Sequence, residues 1–135
     1  MNSKFQEIAN RLPSATIHTG TDCTIVNGPG GCNFVVDPEK PHLGGNLIGE
    51  TPHPSLPNIL WPWLLETFNP KTFLDVGCAE GNAIAWFKNH GVTAAGFDGL
   101  ARNVQICRNK GLHCVEHDLT TSPYLLLGSI DMIWC

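Results

Sequence analysis

From Thr72 to Asp118 short apolar runs alternate with segments of helical spacing, the pattern that a parallel sheet with crossover helices produces. Thr72-Phe-Leu-Asp-Val76 lies between Pro70 and Gly77 and predicts a buried strand. Asn82 to Asn89 follows as a helix, with Ile84 and Phe87 on one side and Gly91 as its stop. Val92 to Asp98 is a second strand, Leu100 to Lys110 a helix with Val104 and Cys107 facing inward, and His113 to Asp118 a third strand. Ser129 to Cys135 is a fourth. Ahead of these, Asn58 to Phe68 spaces Leu60, Trp63, Leu64 and Phe68 as an apolar helical stripe, in which Pro62 is tolerable only in the first turn. The predicted class is α/β, with a partial parallel sheet of about four strands.

Residues 1–58 have a different texture. Six of the ten prolines lie between Pro38 and Pro62, and seven of the fourteen glycines between Gly20 and Gly49. This predicts an irregular, turn-rich extension ahead of a domain spanning residues 59–135. Within it, Asp22 to Asn27 and Cys32 to Asp37 flank Gly28-Pro-Gly-Gly31 and predict a β-hairpin. Residues 2–12 predict a short helix ending before Pro13.

Composition narrows the function classes. Eight basic residues stand against twelve acidic ones, a net charge of −4, and no basic run is present, so a nucleic-acid footprint is not indicated. No apolar stretch approaches the ~20 residues of a membrane span, and the N-terminus lacks the apolar core of a signal peptide. The six cysteines show no CxxC spacing, so reduced thiols and a cytoplasmic location are expected. His18, Cys23, Cys32 and His42 match none of the usual zinc spacings, and no metal site is expected.

Parallel sheets bind ligands beyond the carboxyl ends of their strands. Here those ends carry Asp75 to Gly81, Asp98, Asp118 and Trp134-Cys135. Gly77 permits a sharp exit from the first strand, and Ala79 and Gly81 permit close approach of a ligand or the next strand. Asp98 lies 23 residues beyond Asp75, the place of an acid that accepts from ribose hydroxyls. The small residues are out of register with a G-x-G-x-x-G dinucleotide fingerprint, and Asp75 and Glu80 would repel a pyrophosphate. A cofactor with a sulfonium and an ammonium group suits that charge.

Leu74-Asp-Val-Gly-Cys-Ala-Glu-Gly81 resembles the first motif of class I S-adenosylmethionine-dependent methyltransferases. Gly96-Phe-Asp98-Gly resembles their second motif, Glu116-His-Asp118-Leu their third, and Ile130 to Cys135 the start of their fourth, so the likeness covers roughly residues 59–135. Ala79 departs from the glycine found in many members. Pro41 to Gly49 resembles a loop preceding the cofactor domain in some phage-type members.

The resemblance implies a Rossmann-like fold and a small-molecule cofactor, S-adenosylmethionine. It implies that Gly77, Ala79 and Gly81 line the methionine moiety, and that Asp75 orients its amino end or braces the turn. Asp98 would bind the ribose, and Asp118 and Leu119 the adenine. Trp134, at the crevice edge, is a further candidate for contact. The methyl acceptor and any catalytic residue are left open by the sequence.

Plainer readings stand beside these. His117 reads as a packed or solvated residue, Asp131 as a capping or solvent-facing one, and Cys78 as a small side chain that fits its turn or a thiol made more acidic by the helix N-terminus. Trp61, Trp63 and Trp86 read as core or helix-face residues. Two other function classes remain: a non-catalytic cofactor-binding or interaction module, and an NAD-dependent oxidoreductase disfavoured by the glycine register. A strand at Ile130 to Cys135 would be an inner strand with an unpaired apolar edge, and the chain is therefore expected to be the front of a longer protein.

Overall fold

The structure is a computed structural model that describes residues 16–19, 24–27, 33–37, 39–40, 42–49, 51–124 and 128–135. The chain divides into two compact units, Met1–Glu50 and Thr51–Cys135. In the first, β1 (Thr16–Thr19), β2 (Thr24–Asn27), β3 (Asn33–Val36) and β4 (Gly44–Leu47) form an antiparallel sheet in that order. β2 and β3 pair in the register Asn27↔Asn33. The helix expected over residues 2–12 lies outside the described residues, as do Cys23 and Cys32.

The second unit opens with a wide helical turn, Leu56–Leu60, that runs into α1 (Trp61–Phe68). Pro62 falls in the first turn of α1, where its missing N–H costs the helix little. Asn69, in the left-handed region at φ 45°, ends the helix by donating its N–H to the Leu65 carbonyl.

Then come β5 (Thr72–Val76), α2 (Asn82–Asn89), β6 (Thr93–Asp98), α3 (Ala101–Asn109), β7 (His113–Glu116) and β8 (Met132–Trp134). The sheet order is β7-β6-β5-β8, with every pair parallel. This is an α/β, Rossmann-like arrangement: β6 and β7 step outward from β5, and β8 pairs on its other side. No helix among the described residues is long and apolar enough to cross a membrane.

Alternation along the strands sorts their side chains between two faces. Phe73 and Asp75 share one face with their register partners Ala94 and Gly96. That face carries the core: Phe73 stacks on Phe87 of α2 at 4.0 Å, joined by Ile84, Val104, Cys107 and Leu112. Gly96 is what lets α2 sit so close, because a Cβ there would meet Ile84 Cδ1 at 2.5 Å and the Asp75 carbonyl at 2.9 Å. On the opposite face Leu74 and Phe97 are buried, and Tyr124 stacks on Phe97 at 4.3 Å.

Two strands are shorter than the apolar runs suggest. β7 ends at Glu116 because the Asp118 carboxylate takes the Thr120 N–H at 2.9 Å and bends the chain into a turn. β8 starts only at Met132 because Asp131 acts as a clamp. Its Oδ2 accepts from the Lys71 and Thr72 N–H groups at 2.8 and 3.0 Å, while its own N–H donates to Thr72 Oγ1. These bonds hold the Asp131 carboxyl below its ordinary pKa and join the starts of two strands far apart in sequence.

Candidate functional site

The carboxyl ends of β5, β6, β7 and β8 lie side by side, and the turn 77–81 leaves from the middle of the row. Gly77 (φ 73°) directs its missing Cβ into open space. Its N–H and that of Cys78 both donate to the Phe97 carbonyl, which ties the turn to β6. Ala79 also has a positive φ, 47°, a strained conformation for a residue with a Cβ. Gly81 (φ 82°) is the residue before α2, and a Cβ there would meet Leu112 Cδ1 at 2.7 Å and Cys107 Sγ at 2.8 Å. Its smallness serves packing against α3 and the start of β7.

Asp98 ends β6 and holds the junction together. Its Oδ2 accepts from the Ala79 N–H at 2.9 Å; its Oδ1 accepts from the Leu100 N–H at 2.9 Å and from Asn103 Nδ2 at 3.2 Å. One carboxylate thus braces the glycine turn and ties the entry of α3 to it through Leu100 and Asn103. Asn103 is fully buried and was not singled out from sequence; a polar residue on the inward side of α3 was the available signal.

Asp75 is buried beside this brace, and no hydrogen bond to its carboxylate exists among the described residues. Burial, with the negative charges of Cys107 and Asp98 nearby, pushes its pKa up to about 7. Trp134 is its register partner on β8 and packs edge-on against Trp61 at 6.4 Å. Trp61 is the centre of an aromatic group with Trp86 and Phe87, and its buried Nε1 has no acceptor among the described residues.

Glu80 does not add free negative charge to the turn, contrary to the reading from sequence. It is buried and paired with Arg102 at 3.2 Å, and its carbonyl accepts from Lys110 Nζ at 2.7 Å. The pyrophosphate-repelling charge therefore rests on Asp75. Asp118 and Leu119 sit past the end of β7. Asp118 is spent on its own turn through Thr120 N–H and Oγ1, and Leu119 is exposed. His117 packs edge-on against Phe97 and Tyr124 and bonds the Ser122 carbonyl, a packing role.

Sequence reasoning also missed a cluster of thiols. Cys78 from the turn, Cys107 from α3 and Cys114 from β7 are all buried, with their sulfurs within 4.8 Å of one another. Cys78 and Cys114 are 3.2 Å apart, and Cys107 Sγ lies 3.3 Å from the Ala79 carbonyl oxygen. Far from being made acidic by the helix N-terminus, the Cys78 thiol is pushed up by its hydrogen bonds to Cys107 and Cys114 and by burial. Cys107 moves down because the other two thiols donate to its sulfur. No linear spacing signals this group, since its members lie on three different elements.

Together the parallel sheet, the glycine turn and the acids at its strand ends define a Rossmann-like α/β domain whose topological switch, the usual place of a ligand crevice in such sheets, lies between β5 and β8. A family model described as MetW: Methionine biosynthesis protein MetW matches residues 65–124, from the end of α1 past β7. Over those residues the chain is similar to a methyltransferase-like family of methionine biosynthesis. No curated protein matches it.

Proposed function

We propose that this chain binds S-adenosylmethionine at the β5–α2 turn and is a methyltransferase that passes the cofactor's methyl group to an acceptor nucleophile. The observation that carries the reading is Asp75: a buried carboxyl with no hydrogen-bond partner among the described residues, at the floor of the crevice, poised near neutrality. A cationic ligand relieves that burden, and the cofactor's ammonium and sulfonium groups are cationic. Gly77, open on its crevice side, lets the methionine part approach the backbone. Asp98 accepts two protein bonds on Oδ1 and one on Oδ2, so Oδ2 keeps a lone pair for a ribose hydroxyl. Asp118, Leu119 and Trp134 stand at the neighbouring strand ends as the adenine and rim contacts. The likeness to the MetW family over the same stretch supports the reading.

When bound, the cofactor supplies an activated methyl on sulfur, and the chain's own residues supply position and exclusion of water. Titration of S-adenosylhomocysteine by calorimetry tests this, with pH as the variable. Binding is expected to strengthen as pH rises through about 7, where Asp75 ionises, and to lose that dependence in Asp75→Asn. No binding by the native sequence, or an identical pH profile in Asp75→Asn, would overturn the assignment.

A further inference from the structure

We propose that Cys78, Cys107 and Cys114, together with the Ala79 carbonyl, form a closed binding site for one thiophilic divalent metal ion of the zinc class. The three sulfurs already lie within 4.8 Å of one another, all three residues are buried, and each comes from a different element. The Ala79 carbonyl oxygen lies 3.3 Å from Cys107 Sγ and 3.9 Å from Cys78 Sγ. Around a tetrahedral ion with metal–sulfur bonds of ~2.3 Å and a metal–oxygen bond of ~2.1 Å, sulfur pairs are ~3.8 Å apart and sulfur–oxygen pairs ~3.6 Å. The oxygen thus lies within about 0.3 Å of the expected fourth-ligand spacing from two of the three sulfurs. The Cys78–Cys114 pair, at 3.2 Å, has to open by about half an ångström to match that tetrahedron.

The donor set is soft, which selects zinc-like ions over magnesium or calcium. Among the described residues no other trio of cysteine, histidine or acidic side chains converges in this way. Binding needs no redox step: each thiol gives up its proton to solvent, and the ion accepts the sulfur lone pairs. The bound ion would tie the glycine turn to α3 and β7, making the floor of the crevice one rigid piece. The site lies behind the turn, on the core side, and does not depend on the methyl-transfer reading.

Cobalt(II) is the probe, added anaerobically to the reduced full chain. One equivalent is expected to bind with sulfur-to-cobalt charge-transfer absorption and the intense visible bands of a tetrahedral site, and Zn²⁺ is expected to displace it. The same spectrum is expected when Cys23→Ser, Cys32→Ser and Cys135→Ser are combined, because the proposed ligand set does not include those thiols. Cys107→Ala and Cys114→Ala are expected to lose more affinity than the ~10–100-fold that outer-sphere partners are worth. Circular dichroism of the metal-free variants shows whether they fold. As a readout independent of that, Zn²⁺ is expected to raise the melting midpoint of the Cys23, Cys32 and Cys135 triple variant. No cobalt spectrum from the native chain, an undiminished spectrum in a folded Cys107→Ala variant, or loss of the spectrum in the triple variant would overturn the site.

Discussion

Two strand ends border the same crevice and are built in opposite ways. The exit from β5 is held by distant partners: Asp98 on Ala79, the Phe97 carbonyl on Gly77 and Cys78, Arg102 on Glu80, and Leu112 pressed against Gly81. At the exit from β7 the His117 N–H is tied to the Asp98 carbonyl of β6, but the turn beyond it is held by near neighbours, with Asp118 bonded to Thr120 and Thr121 and Leu119 left in solvent. A turn assembled from remote elements is rigid and pre-shaped, as a binding floor must be. A turn that caps itself can be altered without disturbing the core. The contrast assigns stability to the first turn and tolerance of change to the second.

The sharpest way to break this contrast is Gly81→Ala. The added methyl meets Leu112 and Cys107 below 3 Å in a left-handed conformation, so a loss on the order of 4 kcal/mol is expected in chemical denaturation. Asp98→Ala comes next. It strands the Ala79 and Leu100 N–H groups, costing about 3 kcal/mol, and it should abolish cofactor binding measured by calorimetry.

Asp75 sharpens the comparison through pH. Its pKa is raised in the folded chain, so the native state keeps a proton that the unfolded chain releases from about pH 4 upward. Stability should therefore fall by roughly 1 kcal/mol per pH unit until about pH 7 and then level off, a slope that Asp75→Asn removes in pH-dependent denaturation. Ala79→Gly relieves the positive φ and should stabilise the chain by about 1 kcal/mol, read as a higher melting midpoint. Asp118→Ala, at the self-capped end, should cost only about 0.5 kcal/mol while its effect on cofactor affinity reports the adenine contact.

Much of the fold is legible in the sequence from Asn58 onward. The apolar runs at 72–76 and 92–98 and the helical spacings that follow them place β5, α2, β6, α3 and β7 to within about two residues. The wide helical turn at Leu56–Leu60 was not legible, because Pro57 mimics an ordinary helix start. The ends of β7 and β8 were not either, because they are set by side-chain bonds from Asp118 and Asp131 rather than by hydrophobicity. At the crevice, Asp75, Gly77 and Asp98 could be nominated from spacing. Glu80 was misjudged because its partner Arg102 lies on another helix.

The sequence by itself determined the order of strands and helices, the glycine turn and the acids at the strand ends, since periodicity and turn chemistry are local properties. Only the tertiary structure decided which charges stay uncompensated, why Gly81 must be small, and that Cys78, Cys107 and Cys114 meet. Those outcomes depend on distances between elements, and a parallel sheet brings together residues that its crossover helices separate along the chain.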